Sequence, residues 1–301
     1  MTRALHPPAG LAPVLALVTN AFVWGVSWWP FRQLQGMGLH PLWATSIIYV
    51  LSALAIGLWR PGAWRQVWTT PALWLILLAA GATNAAFNWA VSIGDVVRVV
   101  LLFYLMPVWA LFLARLVLQE RITRDAILRV LTALAGAMLV LWPTDGRWGA
   151  AALSLPDALA LLGGFAFAFN NVMLRRSAAI PREGRALAMF LGGASVAGAA
   201  AALLSSGVAG TAIDVTWPAA SLAWPVPVLG LALAFLGANL CLQYGASRLP
   251  ATVTAVVMPC EVLFAALTAV WWGNETLHAT VLVGGALILS ATLLSLLKLR
   301  S

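Results

Sequence analysis

Charge is scarce in this chain. Only 9% of its 301 residues are charged, against about 25% in ordinary soluble domains, which excludes a globule that faces water on all sides. Histidine occurs three times, at His6, His40 and His278, and cysteine twice, at Cys241 and Cys260. There is no HExxH pair and no cluster with metal-ligand spacing, so neither a metal nor any cofactor is expected. Both cysteines fall inside apolar runs, at depths that differ by about 10 Å at the helical rise, beyond disulfide reach. Intramembrane proteolysis lacks its residues too. Ile93-Gly94-Asp95 has no second aspartate deep in the membrane, and Gly25-Val26-Ser27 lacks both the following glycine and a histidine at its depth. No enzyme activity is expected.

Apolar sequence is plentiful: 62% of the residues are hydrophobic. A hydrocarbon core about 30 Å thick takes roughly 20 apolar residues per helix. Ten such runs are read near 11–31, 40–59, 71–92, 96–116, 125–142, 153–174, 186–206, 222–244, 249–272 and 277–297. The expected fold is an all-α membrane protein of ten transmembrane helices. The first run, with no convincing cleavage site after it, is read as span one rather than a removable signal.

The net charge of +8 is a topology signal. With ten spans, the ends and alternate loops share one side, and 14 of the 17 cations fall there: Arg3, Arg60, Arg65, Arg115, Arg121, Arg124, Arg129, Arg175, Arg176, Arg182, Arg185, Arg248, Lys298 and Arg300. Arg32, Arg98 and Arg147 fall on the other. The positive-inside rule then places both termini in the cytoplasm, and no nucleic-acid partner is expected. Trp28, Trp29, Trp142, Trp148, Trp217, Trp224, Trp271 and Trp272 sit at expected outer ends, and Trp59, Trp64 and Trp68 at an inner one. Indoles prefer both interfaces.

Shifting the chain by 155 residues brings Asn84 onto Asn239, Asn88 onto Gln243, Trp89 onto Tyr244, Ser92 onto Ser247 and Glu120 onto Glu275. Spans one and six match at another offset, with Arg32 near Arg176. Two five-helix repeats are expected, residues 1–146 and 147–301. Five being odd, the second is inverted in the membrane. Inverted repeats recur in secondary transporters, whose substrate site lies at the repeat interface near the midplane. The amides then form half-pathways: Asn84, Asn88 and Ser92 in the outer half of span three, Asn239, Gln243 and Ser247 in the inner half of span eight. Asn20, Trp24 and Ser27 on span one and Asn170 and Asn171 on span six repeat the pattern. Amides that merely bond helix to helix are the plainer alternative.

Pro107 and Pro259 lie near the middle of spans four and nine and free the carbonyls of Phe103 and Ala255. They are candidate hinges or shapers of a cavity. Two residues after Pro259 stands Glu261, sharing a helical face with Thr254, Met258, Ala265 and Thr268. Intramembrane carboxylates are functional candidates by default, and the repeat puts Met106 opposite, so the scaffold itself does not require this acid. It would titrate a proton coupled to transport, anchor a substrate ammonium, or stand as a neutral acid bonded to a neighbouring helix. Tyr104, Trp109, Trp24 and Tyr244 are candidate aromatic walls, or simply interhelical packing.

Two five-helix copies, with prolines in spans four and nine and glutamates just past both, resemble the drug/metabolite transporter superfamily and tandem EamA domains. The segment GDVVRVVLLFYLMPVW, residues 94–109, is similar to the YddG-type aromatic amino acid exporters. The resemblance implies a central cavity walled by spans one, three, four, six, eight and nine, with the fifth and tenth aside. It makes Tyr104, Met106 and Trp109 cavity candidates beside the amides. It also implies export of a neutral, aromatic or other, amino acid across a bacterial inner membrane. With no ATP-binding segment in the sequence, the driving force is expected to be a gradient. The lipid bilayer and a small-molecule substrate are the expected partners. Gly192, Gly193, Gly198, Gly284, Gly285 and Ser290 allow close helix approach, within a monomer or in a homodimer.

Overall fold

A computed structural model describes residues 11–119, 123–142, 153–207, 213, 215–249, 253 and 257–297, with side chains to 291. Arg3, His6, Glu120, Arg121, Arg147, Trp148, Thr254, Ala255, Lys298 and Arg300 lie outside the described residues, as does the expected boundary between 146 and 147. The chain winds through α1 (Leu11–Val26), α2 (Trp28–Gly36), α3 (Pro41–Trp59), α4 (Gly62–Thr69), α5 (Pro71–Ile93), α6 (Val96–Phe103), α7 (Met106–Val117), α8 (Arg124–Val140), α9 (Leu155–Arg176), α10 (Arg182–Ser205), α11 (Pro225–Ala246), α12 (Cys260–Gly273) and α13 (Ala279–Leu297). No strand occurs among the described residues.

Among the described residues, seven segments are each long and apolar enough to cross a membrane, of the ten expected: Leu11–Gly36, Pro41–Trp59, Pro71–Ile93, Val96–Val117, Leu155–Arg176, Arg182–Ser205 and Pro225–Ala246. The physical reason is local. α8 has 17 residues, α12 begins only after Pro259 and has 14, and the described apolar stretch of α13 ends at Ala291. Leu58, Leu116, Leu128 and Leu233 stand exposed on the outside of the bundle, which is tolerable where lipid is the solvent.

Two of these seven segments are broken. At Ser27 the hydroxyl donates to the Trp24 carbonyl at 2.8 Å, and Pro30, in the first turn of α2, cannot serve the Val26 carbonyl. At Tyr104–Leu105 the chain turns between α6 and α7. Pro107 therefore sits in the first turn of α7, where its missing N–H costs nothing. The freed Phe103 carbonyl lies against Gly164 of α9, where a Cβ would come within 2.6 Å of the oxygen.

α5 packs on α9 and α10, α1 on α11 and α12, α3 on α10 and α11, α9 on α6 and α7, and α8 on α13. The α8–α13 crossing is reciprocal: a Cβ on Gly136 would sit 2.6 Å from the Gly284 carbonyl oxygen, and one on Gly284 2.5 Å from that of Gly136. Gly192 meets Leu77 and Gly81, Gly193 the Tyr49 ring, Gly198 the Ser46 hydroxyl and Gly285 the Leu101 side chain. Those expected small residues are thus in use within the chain.

Buried side chains gather in two large clusters. One surrounds α6, with Trp28, Phe87, Val262 and Ile288. The other joins α3, α10 and α11 through Ile48, Tyr49, Phe190 and Phe235.

Candidate functional site

Between these clusters lies a cavity of about 400 Å³. Its aromatic walls come from both. Trp24 of α1 stacks on Phe235 of α11, centroids 4.5 Å apart at 15°. Phe103 packs against Phe87 and Phe167 at 4.8 and 5.4 Å, and Tyr49 against Phe190 at 5.5 Å. Flat, rigid side chains of this kind give an apolar surface that also accepts cations on its faces.

Polar groups interrupt the walls at a few points. The Tyr104 hydroxyl donates to Glu261 Oε2 at 3.2 Å; the donor ends α6 and the acceptor opens α12, so two broken-span ends meet here. The Tyr49 hydroxyl donates to Asn84 Oδ1 at 2.5 Å, and Asn84 Nδ2 donates back along α5 to the Ala80 carbonyl. Asn239 Oδ1 accepts from Gln243 at 2.6 Å. Among the described residues Asn20 Nδ2 reaches only the Met258 sulfur, at 3.7 Å, and the Oδ1 atoms of Asn20 and Asn170 have no hydrogen-bond partner.

Asn20, Trp24, Asn84, Tyr104, Met106, Asn170, Asn239, Pro259 and Glu261 all line this cavity. The other sequence candidates stand elsewhere. Asn88 is buried and donates to Thr45 at 3.1 Å. Trp109 packs edge-on against Phe165 at 5.7 Å. Asn171, Gln243 and Tyr244 are exposed, the last under the Arg248 guanidinium at 4.0 Å. Pro107 is half-buried outside the lining. The wall also differs from the expected six spans, because α3 and α10 contribute Tyr49, Met189 and Phe190. Gly193 lets the Tyr49 ring lie against α10, which brings both side chains inward. No sequence signal marks Phe190 or Phe235. Nor does any mark Tyr49, which was not among the sequence candidates.

One end of the bundle, where α2, α6 and α12 meet, is tied by charges. Arg32 donates to Glu275 Oε1 at 3.1 Å and to the Gly94 carbonyl, and its guanidinium lies 4.8 Å from the Trp28 ring. Glu275 also accepts from the Val96 N–H at 3.0 Å. Burial pushes the Glu275 carboxyl above its ordinary range and Asp95 adds to the push, while Val96 and Arg32 act the other way. Beside it, Arg98 grips Asp157 through two bonds of 2.7 and 2.9 Å and reaches the Val140 carbonyl. Asp157 is buried and also closes a capping box with Ser154 at the start of α9.

Among the described residues no group of His, Cys, Asp and Glu is placed to hold a metal. Residues 11–142 match the EamA-like transporter family. No curated protein matches. A solved crystal structure described only as that of a protein shares the fold, with a TM-score of 0.58 and 19% identity over 97% of this chain and 99% of the other. The apolar helices and the EamA match together make this a multi-pass membrane protein.

Proposed function

We propose that the protein is a secondary transporter of the drug/metabolite superfamily that works by alternating access and exports small metabolites across a bacterial inner membrane. The observation that carries this reading is the cavity itself, set mid-bundle where the ends of α6 and α12 meet, in a chain whose residues 11–142 match the EamA-like transporter family. Joining α1 to α2 and α6 to α7, and counting α8, α12 and α13 as spans, gives ten. The packing supports the inverted repeat. Exchanging the halves converts α5 on α9 into α11 on α1, and α5 on α10 into α11 on α3. The pairs α3 with α10 and α8 with α13 map onto themselves. The charge split supports cytoplasmic termini, which makes the tied end the outer one. The exposed Gln243 and Tyr244 then lie toward the cytoplasm.

The test is flux of labelled aromatic amino acids and their derivatives in proteoliposomes, with and without an imposed pH gradient, for wild type and Glu261→Gln. Saturable flux in at least one compound supports a carrier. Gradient-dependent flux lost in a folded Glu261→Gln makes that acid the coupling group. Flux that rises linearly without saturation would sink the alternating-access mechanism in favour of a channel.

A further inference from the structure

The charge balance of the cavity narrows the cargo, and the narrowing rests on the transport reading above. Among the described residues, the lining holds one carboxylate, Glu261, and no lysine, arginine or histidine. Arg32 and Arg98 are engaged at the tied end by Glu275 and Asp157, and Arg248 lies over Tyr244, outside the lining.

Unused acceptors remain there. Among the described residues Tyr104 is the sole side chain bonded to the Glu261 carboxylate, and it uses Oε2, leaving Oε1 as an acceptor. The Oδ1 atoms of Asn20 and Asn170, on opposite repeats, also lack donors. Several donors are spent. The Tyr49 hydroxyl is given to Asn84 and that of Thr83 to the Ala79 carbonyl. At the half-helix starts the N–H groups of Val108, Glu261 and Val262 bond the carbonyls of Leu105, Met258 and Pro259, and Pro107 has none to give. A ligand carboxylate brought here would meet another carboxylate and no counter-charge, a costly arrangement in low dielectric. An ammonium offers three donors and accepts nothing, matching what is left over, and the Trp24, Phe103 and Phe167 rings add faces on which a cation or a flat ring can lie.

We infer that the cargo is a monocationic amine with a flat aromatic body, its ammonium on Glu261 and its ring between the aromatic walls, rather than a zwitterionic amino acid. A single carboxylate neutralises a single positive charge. A volume of about 400 Å³ is at the small end of ligand pockets, suited to one bicyclic molecule.

Tryptamine and tryptophan share the indole and the amine and differ by one carboxylate, so the pair isolates this claim. Their flux is compared in proteoliposomes against protein-free vesicles, and their binding by titration calorimetry on the purified protein. The expected result is saturable tryptamine binding and flux that tryptophan does not inhibit. Glu261→Gln should weaken tryptamine binding on the order of tenfold or more, and Glu261→Asp, which keeps the charge, should restore part of it. Tryptophan bound and moved as well as tryptamine overturns the cationic assignment and leaves the carrier standing. Tryptamine binding unchanged in a folded Glu261→Gln overturns it as well. Folded protein that binds and moves neither compound overturns the assignment, and if the wider panel is also inert the transport reading falls with it.

Discussion

Tyr104 and Glu261, 157 residues apart in sequence, share a hydrogen bond of 3.2 Å across the cavity. Each is next to a proline-marked break in its own span. Removing the hydroxyl with Tyr104→Phe keeps the ring and leaves the carboxylate without that donor. The fold should lose about 1–3 kcal/mol, read as a lower melting temperature in detergent. Cargo binding should shift by several-fold at most, since the charge remains.

Arg98 and Asp157 should behave as a buried pair. Arg98→Ala strands a carboxylate that is 1% exposed, and breaking such a pair costs about 3–5 kcal/mol. The double variant Arg98→Ala with Asp157→Asn should recover part of that loss. Thermal melts of the two single variants and the double variant give the coupling. Recovery of nothing would mean that Asp157 matters through its capping box alone.

Cutting Arg32 from Glu275 should loosen the tied end. In Arg32→Ala, a cysteine introduced at Ser92, a buried position, should react faster with a membrane-impermeant maleimide than in the background carrying only that cysteine. Equal rates would show that the ion pair does not hold this end shut.

The same carboxylate sets a pH dependence. Because burial raises Glu275 above its ordinary value, the folded protein holds that proton more tightly than the unfolded chain does. Its contribution is fully present below the ordinary carboxylate range and is lost as pH rises through the raised value. Above the ordinary carboxylate range, Glu275→Gln should flatten that part of the stability curve. A curve of unchanged slope would exclude Glu275 as its source.

Gly136→Leu should be among the most damaging single changes outside the cavity. Its side chain would have to displace the α13 backbone at Gly284, and overpacking of this kind costs about 1–3 kcal/mol or more. Expression and melting temperature read it, and Gly136→Ala should show a smaller loss of the same sign.

How far these features were legible in the sequence varies with their physics. Apolar runs and the lone intramembrane acid are compositional, so they could be read directly. The amide stripe could be read only in part. Residues four apart on a helix advance by about 40° around it, so the row winds. Asn84 faces the cavity while Asn88, one step on, has turned toward Thr45 of α3. The walls built by Tyr49, Phe190 and Phe235 depend on which helices touch, and nothing local records that. The break at Tyr104–Leu105 was signalled by Pro107, but Pro30 marks a second one at Ser27 that an apolar run of normal length concealed.

The break between α6 and α7 has a mechanical consequence. Both α6 and α7 pack on α8 and α9, but α6 is moored in addition at its far end by Arg98, gripped by Asp157, and by the Val96 N–H on Glu275. Two levers with different anchorages therefore meet at the residue that reports on the acid. A change of angle between them moves the Tyr104 hydroxyl relative to Glu261, so occupancy of the carboxylate and bending of the span are one coordinate, read from two ends.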